Sequence, residues 1–274
     1  MFPPLVSCVL PVSNPQRVGL ARKAINGFIR QHYLPYELLV VNGTGQPILT
    51  NDSMATEEMV RAGCQVRELE AVPGLPASGM KNIGLADAKG DWVICVDDDD
   101  YFHPTRLMYQ MAHRSSDCPV LLRCQLRVDI SSAVRPPVLS GESEFSGFKP
   151  LLHLLQDERG VASTMLFPRV DVATGKAWFF DAQLVTHEAE ELLTRFAQAG
   201  KSVAVCNNVH SPFVQGLHWP LLSVAVYHGD NALSREQFFV SSTAQPEVVP
   251  AGLNQVDIDQ LKVVLQTYNF TVQE

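Results

Sequence analysis

The sequence predicts an α/β domain with a mainly parallel central sheet flanked by helices. Apolar runs of strand length alternate with helix-length segments in the first half of the chain. Polar residues follow directly after three of these runs, at Asn14, Asn42 and Asp97. Hydrophobic residues make up 46% of the 274 residues and charged residues 18%, which is typical of a globular chain with a large core. Strands separated by helices form βαβ units, and these build parallel sheets.

The predicted strands of the first half are apolar runs that end at turn-forming residues. They lie at 5–12, 37–41, 64–69 and 91–96. The predicted helices share an apolar face with helical periodicity or a capping residue at their start. They lie at 16–31, from about 51–53 onward, at 77–88 and from 103–104 onward.

The second half is less regular. Apolar runs predict strands at 119–128, 162–167, 202–206 and 222–227. Helices are predicted at 148–156, 188–199 and around 258–265, and the helical spacing of Leu192, Leu193 and Phe196 supports the second of them.

The acidic run Asp97–Asp100 is the most informative stretch, because it follows the very apolar strand 91–96. Four adjacent carboxylates repel one another at a strand end unless a cation compensates them. Carboxylate oxygens are the ligands that Mg²⁺ and Mn²⁺ prefer. In parallel sheets, ligands bind beside the carboxyl ends of the strands. The run therefore predicts a divalent metal site in a ligand-binding crevice, with a solvated acidic loop as the alternative.

Charge and composition exclude several classes of function. A net charge of −8 argues against a nucleic-acid partner. The amino-terminal residues lack the pattern of a secretory signal, and no apolar run has the length of a membrane span. The six cysteines form no CxxC pair, so neither a zinc site nor a disulfide framework is indicated. We therefore expect a cytoplasmic protein without a transmembrane segment.

Five ordered motifs within residues 5–235 resemble family 2 glycosyltransferases. They are an opening strand that ends Pro11-Val12-Ser13-Asn14, the segment 31–41, the helix around Lys81-Asn82-Ile83-Gly84, the acidic run Asp97–Asp100, and the segment 180–195. The resemblance implies a GT-A-type nucleotide-diphospho-sugar transferase fold in residues 1–235. Residues 1–118 would bind the nucleotide sugar, residues 119–235 would form the acceptor side, and 236–274 would be a carboxyl-terminal extension with one helix.

The resemblance also implies roles for individual residues. Donor binding would involve Pro11, Asn14, Asn42, Lys81 and Asp97. Asp97, Asp99 and the late histidine His228 would bind Mn²⁺ or Mg²⁺. The register within Asp97–Asp100 is open, Lys81 is equally compatible with an ordinary helix lysine, and His228 with a structural histidine.

Two departures from the family pattern bear on function. Asn42-Gly43-Thr44-Gly45 stands where the family has an acidic run that reads uracil, so Asn42 is either a base-reading amide or part of a tight turn. Ala189 stands where the family has an aspartate base, which leaves Glu188 as the candidate base. Glu188 would otherwise only favour the positive helix amino terminus.

The predicted function is metal-dependent, inverting transfer of a sugar from a nucleotide-sugar donor to an unknown acceptor hydroxyl. The two substituted motifs motivate an alternative, a catalytically degenerate domain for binding or assembly. A dinucleotide-dependent oxidoreductase would need Gly-x-Gly-x-x-Gly after the first strand, where the chain has no glycine. A sugar-nucleotide pyrophosphorylase would need a Gly-rich basic loop there, and segment 11–17 has one arginine.

Overall fold

The computed structural model describes residues 3–50, 57–115, 117–129, 151–206 and 223–227. Within them a nine-stranded sheet has the order β3-β2-β1-β4-β7-β6-β9-β5, and β8 pairs with β6. Its strands are β1 (Val6–Val12), β2 (Tyr36–Asn42), β3 (Gln65–Glu70), β4 (Trp92–Cys95), β5 (Tyr101–Phe102), β6 (Val120–Asp129), β7 (Leu151–Pro168), β8 (Ala204–Cys206) and β9 (Ser223–Tyr227).

The helices lie between these strands in the chain. They are α1 (Val18–Phe28), α2 (Glu57–Arg61), α3 (Ala77–Asp87), α4 (Arg106–Ala112) and α5 (Glu188–Gln198). A short 3₁₀ helix, Pro15–Arg17, precedes α1. None of the helices in the described part of the chain has the length and apolar character needed to cross a bilayer.

Both faces of the sheet are covered by helices, which explains why β1 and β2 are buried at every position. Successive side chains of a strand point to opposite faces. Cys8 and Leu10 of β1 pack in one core with apolar residues of α1 and α4. Val9 packs in a second core with apolar residues of α3 and α5. The predicted α/β class with a mainly parallel sheet flanked by helices is therefore confirmed.

The strand order reverses between β1 and β4, and we call the space beside the carboxyl ends of these two strands the crevice. From β1 the chain adds β2 and β3 in parallel on one side, and then returns to add β4 in parallel on the other side. Ligands of parallel α/β sheets bind beside the carboxyl ends of the strands at such a reversal. The residues that leave these strands are Asn14 and Arg17 after β1, and Asp97–Asp100 after β4.

One sheet continues from the donor half into the residues predicted to form the acceptor half. Ile94 of β4 pairs antiparallel with Leu166 of β7, and β7 then pairs antiparallel with β6. The division at residue 118 remains a prediction. The proposed extension 236–274, its helix at 258–265, and His228 lie outside the described residues.

The helix predicted at 148–156 is wrong where the structure describes it. Residues 151–156 belong to β7, and their partners in β6 run from Cys124, opposite Gln156, to Asp129, opposite Leu151. A short apolar run has no periodicity that separates a helix from a strand, so pairing with β6 decides its conformation. The predicted helix 16–31 is shorter in the structure, because residues 15–17 form the 3₁₀ helix and α1 ends at Phe28.

Candidate functional site

The acidic loop, Asp97–Asp100, begins where β4 ends. Hydrogen bonding to Val9 carries β4 alongside β1 as far as Val96. Asp98, Asp99 and Asp100 are buried, whereas the side chain of Asp97 is 49% exposed. The acidic loop therefore lies in the crevice, with its first carboxylate open to solvent.

Arg17 provides a positive charge from the opposite side of the crevice. Its Nη2 atom contacts Asp98 Oδ1 and lies 2.5 Å from Asp99 Oδ2. Asn14 directs the chain into the 3₁₀ helix that carries Arg17, because Asn14 Oδ1 accepts a hydrogen bond from the Gln16 amide at 2.9 Å. Sequence analysis missed Arg17, although a lone arginine three residues after a strand-ending asparagine is a visible signal.

Burial of the Asp98 carboxylate within the acidic loop carries an electrostatic cost. Burial, followed by repulsion from Asp99, raises the pKa of Asp98 to about 8, although Arg17 opposes this shift. Asp97 behaves differently, since the Lys81 ammonium holds its pKa below the ordinary value despite desolvation. The loop thus combines one carboxyl group whose burial favours the neutral form, Asp98, with one that Lys81 keeps charged, Asp97.

Lys81 joins the donor and acceptor sides of the predicted site. Its Nζ lies 2.7 Å from Glu188 Oε1 and 3.3 Å from Asp97 Oδ1. Lys81 projects from α3 and Glu188 begins α5, so the two helices of one face bring these groups together. Burial opposes the charged ammonium, but Asp97 and Glu188 raise the pKa of Lys81 above its ordinary value.

Two of the predicted donor-binding residues, Pro11 in β1 and Asn42 in β2, have different surroundings in the structure. Pro11 is buried within β1, opposite Val41 of β2. Asn42 ends β2, and its amide donates to Gln46 O at 2.7 Å and to Glu68 Oε1 at 2.5 Å. Its Oδ1 accepts from both the amide and the hydroxyl of Thr44. These bonds use the hydrogen-bonding capacity of the amide, as the tight-turn alternative expects.

The donor set of the acidic loop fits a divalent ion in its chemistry. Two carboxylate oxygens from adjacent residues converge on one cationic atom, Arg17 Nη2, which marks a place where a positive charge is held. Among the described residues no three His, Cys, Asp or Glu side chains form a complete metal cage. Mg²⁺ in phosphate-transfer sites is commonly held by one or two carboxylates together with substrate phosphates. Asp97 and Asp99 remain the predicted ligands, and the predicted ligand His228 lies outside the described residues.

Comparison with known proteins matches residues 7–125 to a family described as glycosyl transferase family 2. An uncharacterized glycosyltransferase of Bacillus subtilis (strain 168), YwdF, is 29% identical over 99 residues, which cover 36% of this chain and 34% of that protein. The chain thus spans about a third of the length of this curated relative.

Solved structures similar to this chain include S. aureus TarS 1–349 and a mannosyltransferase. The TarS structure has a TM-score of 0.49 and 14% identity, over 81% of this chain and 60% of that one. Mannosyltransferase PcManGT from Pyrobaculum calidifontis, in complex with GDP-Man and Mn²⁺, has a TM-score of 0.47 and 14% identity, over 82% of this chain and 57% of that one. The family match and the observed sheet together agree with the GT-A-type fold that the sequence predicts.

Proposed function

We propose that the chain transfers a sugar from a nucleotide-diphosphate-sugar donor to an acceptor hydroxyl, as the match of residues 7–125 to a family described as glycosyl transferase family 2 supports. The observation that carries this proposal is the position of Lys81 between Asp97 and Glu188. One carboxylate comes from the loop after β4 and the other from α5, so donor-side and acceptor-side acids meet at one ammonium. We assign the donor to the carboxyl ends of β1, β2 and β4, with Pro11, Asn14, Asn42, Lys81 and Asp97 as the donor-binding residues.

Glu188 is the group we assign to remove the proton from the acceptor hydroxyl. Its side chain is 14% exposed, and Lys81 engages Oε1, so Oε2 is the oxygen that would take the proton. As the acceptor O–H bond breaks, its oxygen bonds to the anomeric carbon of the donor. The bond from that carbon to the phosphate oxygen breaks, and its electron pair leaves with the nucleoside diphosphate. Direct displacement of this kind inverts the anomeric configuration.

Negative charge accumulates on the diphosphate as it leaves, and the site has to stabilise this charge. Asp97 and Asp99 would hold Mn²⁺ or Mg²⁺, which when bound stabilises negative charge on phosphate oxygens. Lys81 supplies a further positive charge from this chain, as a single point charge in place of the bidentate guanidinium usual in the family. The predicted base-reading role of Asn42 would require its bonds to Gln46 and Glu68 to be exchanged for bonds to a base.

The test of this function is turnover of nucleotide sugars with Mn²⁺ by the full chain. We expect hydrolysis or transfer of at least one donor, and loss of at least about a hundredfold in rate for Asp99→Ala. The matched control is Asp91→Ala, because Asp91 is exposed and precedes the amino end of the same strand, β4. A chain that turns over no nucleotide sugar, or whose turnover ignores the Asp99 change, contradicts the proposal.

A binding or assembly module is the second candidate, and the engaged amide of Asn42 and the alanine Ala189 in place of the family's aspartate favour it. A thermal-shift screen of nucleotides and nucleotide sugars, with and without Mn²⁺, separates the two. A ligand that raises the melting temperature without any turnover identifies the binding module. Binding together with turnover identifies the transferase.

A further inference from the structure

The short 3₁₀ helix that carries Arg17 sets its position beside the acidic loop. Asn14, two residues after the end of β1, caps the 3₁₀ helix, and Arg17 is the last residue of that helix. Its side chain is 17% exposed and reaches across the crevice to Asp98 and Asp99. Arg17 therefore supplies, from the chain itself, a cation to two adjacent carboxylates.

The guanidinium is incompletely satisfied in this position. Nη2 serves both carboxylates, while Nε is buried and has no hydrogen-bond partner. A buried N–H without a partner costs about 1–3 kcal/mol. A guanidinium that bound a phosphate through Nε and Nη2 together would satisfy both nitrogens, because this fork matches two oxygens of one phosphate. The observed pairing thus leaves the planar guanidinium of Arg17 free to gain by binding an anion through two oxygens.

A divalent ion and Arg17 compete for the same carboxylate oxygens. An ion bound at Asp99 would place two further positive charges close to Nη2, and the repulsion would drive the guanidinium away. The displaced guanidinium would then bind an anion in the crevice between β1 and β4. The diphosphate of the donor is such an anion under the proposed function.

We propose that Arg17 is an exchangeable counter-cation, which pairs with Asp98 and Asp99 until a divalent ion displaces it onto the donor diphosphate. This inference rests on the proposed function and adds to it a positioning residue that links the two ligands. Metal and diphosphate then bind cooperatively, because the metal releases Arg17 from the carboxylates and the diphosphate gives Arg17 a new partner. By linkage, each strengthens the binding of the other by the same factor.

The experiment measures Mn²⁺ binding to the full chain by isothermal titration, without nucleotide, for wild type and Arg17→Gln. We expect Arg17→Gln to bind Mn²⁺ alone roughly tenfold more tightly, because the carboxylates are no longer occupied. Its melting temperature is lower than that of wild type without metal, and Mn²⁺ raises it by more. The matched control, Arg61→Gln, removes an arginine that pairs with Glu57 on α2, and Mn²⁺ affinity stays at the wild-type value.

Arg17→Lys keeps the positive charge but removes the bidentate guanidinium. It therefore tests pairing with the carboxylates separately from binding of the diphosphate. We expect its affinity for Mn²⁺ alone to stay within about threefold of wild type. We expect the extra melting-temperature rise produced by UDP or GDP in the presence of Mn²⁺ to be smaller than in wild type. This variant also keeps the inference testable if Arg17→Gln fails to fold.

The exchange is overturned if folded Arg17→Gln binds Mn²⁺ only as tightly as wild type or more weakly. It is also overturned if UDP or GDP, in the presence of Mn²⁺, raises the melting temperature of Arg17→Lys by as much as that of wild type. Turnover of a nucleotide sugar that depends on Mn²⁺ and Asp99, together with either of those results, overturns this inference and leaves the proposed function intact. Absence of Mn²⁺ binding in every variant, with or without UDP and GDP, overturns both the exchange and the proposed metal site.

Discussion

Glu188 is held by an ion pair, and this governs what its replacement should do. Glu188→Gln keeps the size of the side chain and a hydrogen-bonding oxygen near Lys81, but it cannot accept a proton. We expect turnover to fall by about 10²–10⁴-fold, with little change in melting temperature or donor affinity. Steady-state rates at saturating donor, together with thermal unfolding, provide the measurement.

Glu191→Gln is the control for this prediction, because Glu191 lies one turn along α5 and pairs with Arg195. We expect it to retain wild-type turnover. Comparable losses in both variants would show that the effect comes from the charge of α5 and not from proton removal by Glu188.

Individual residue roles were only partly predictable from the sequence. The order of motifs indicated that Lys81, Asp97 and Glu188 belong to one site, and the structure brings these three together. The bond from Asn42 to Glu68 could not be predicted, because it depends on which strand lies beside β2. The position of Arg17 was visible in the sequence, but its pairing with Asp98 and Asp99 was not, because that pairing depends on β1 and β4 being neighbours in the sheet.

Helix α3 approaches the sheet closely at Gly84, and this element carries its own test. A Cβ atom at Gly84 would lie 2.3 Å from Val9 Cγ1 of β1. We expect Gly84→Ala to lower the free energy of unfolding by about 1–3 kcal/mol, because α3 or β1 must shift. Urea unfolding at neutral pH measures this change.

Gly79 of the same helix offers the matched substitution, since the nearest atom to its Cβ position is 3.7 Å away. We expect Gly79→Ala to leave stability unchanged or to raise it by up to about 1 kcal/mol, because alanine favours helix. A loss in Gly79→Ala equal to that of Gly84→Ala would contradict close packing as the cause.

Elements with a clear period or bounding turns were predictable, and ambiguous apolar runs were not. The predicted helix 188–199 appears as α5, with Leu192 and Phe196 fully buried. The helical spacing of its apolar residues differs from the alternation expected of a strand. Residues 151–156 offer no such distinction, and their pairing with β6 determines a strand.

Three distant segments of the molecule meet at Lys201, and this cluster gives stability a pH dependence. Lys201 Nζ lies 2.7 Å from Asp117 Oδ2 and 3.1 Å from Asp171 Oδ1. Hydrogen bonds from Thr174 and the Ala173 amide, and then Lys201, hold the pKa of Asp171 below its ordinary value. A carboxyl group with a depressed folded-state pKa stabilises the fold above its unfolded pKa, and this contribution is lost as the pH falls through the folded value.

We therefore expect Asp171→Asn to be less stable than wild type at pH 7, with the difference shrinking as the pH falls below about 4. Thr174→Ala removes one of the same hydrogen bonds and should give a smaller difference of the same sign. Urea unfolding between pH 3 and pH 7 measures both variants. A wild-type to Asp171→Asn difference that is constant across this range would refute the assigned cause.

The pairing of β4 with β7 determines whether the family-matched portion can exist alone. A fragment ending near residue 125 would lack Leu166, Phe167 and Pro168, which cover the outer side of Trp92, Val93 and Ile94. An uncovered edge strand this apolar recruits other chains. We expect such a truncated protein to precipitate or form oligomers on expression, as size-exclusion chromatography would show, whereas a chain that retains β7 remains dispersed. Proteins built from this portion must therefore include residues well downstream of it.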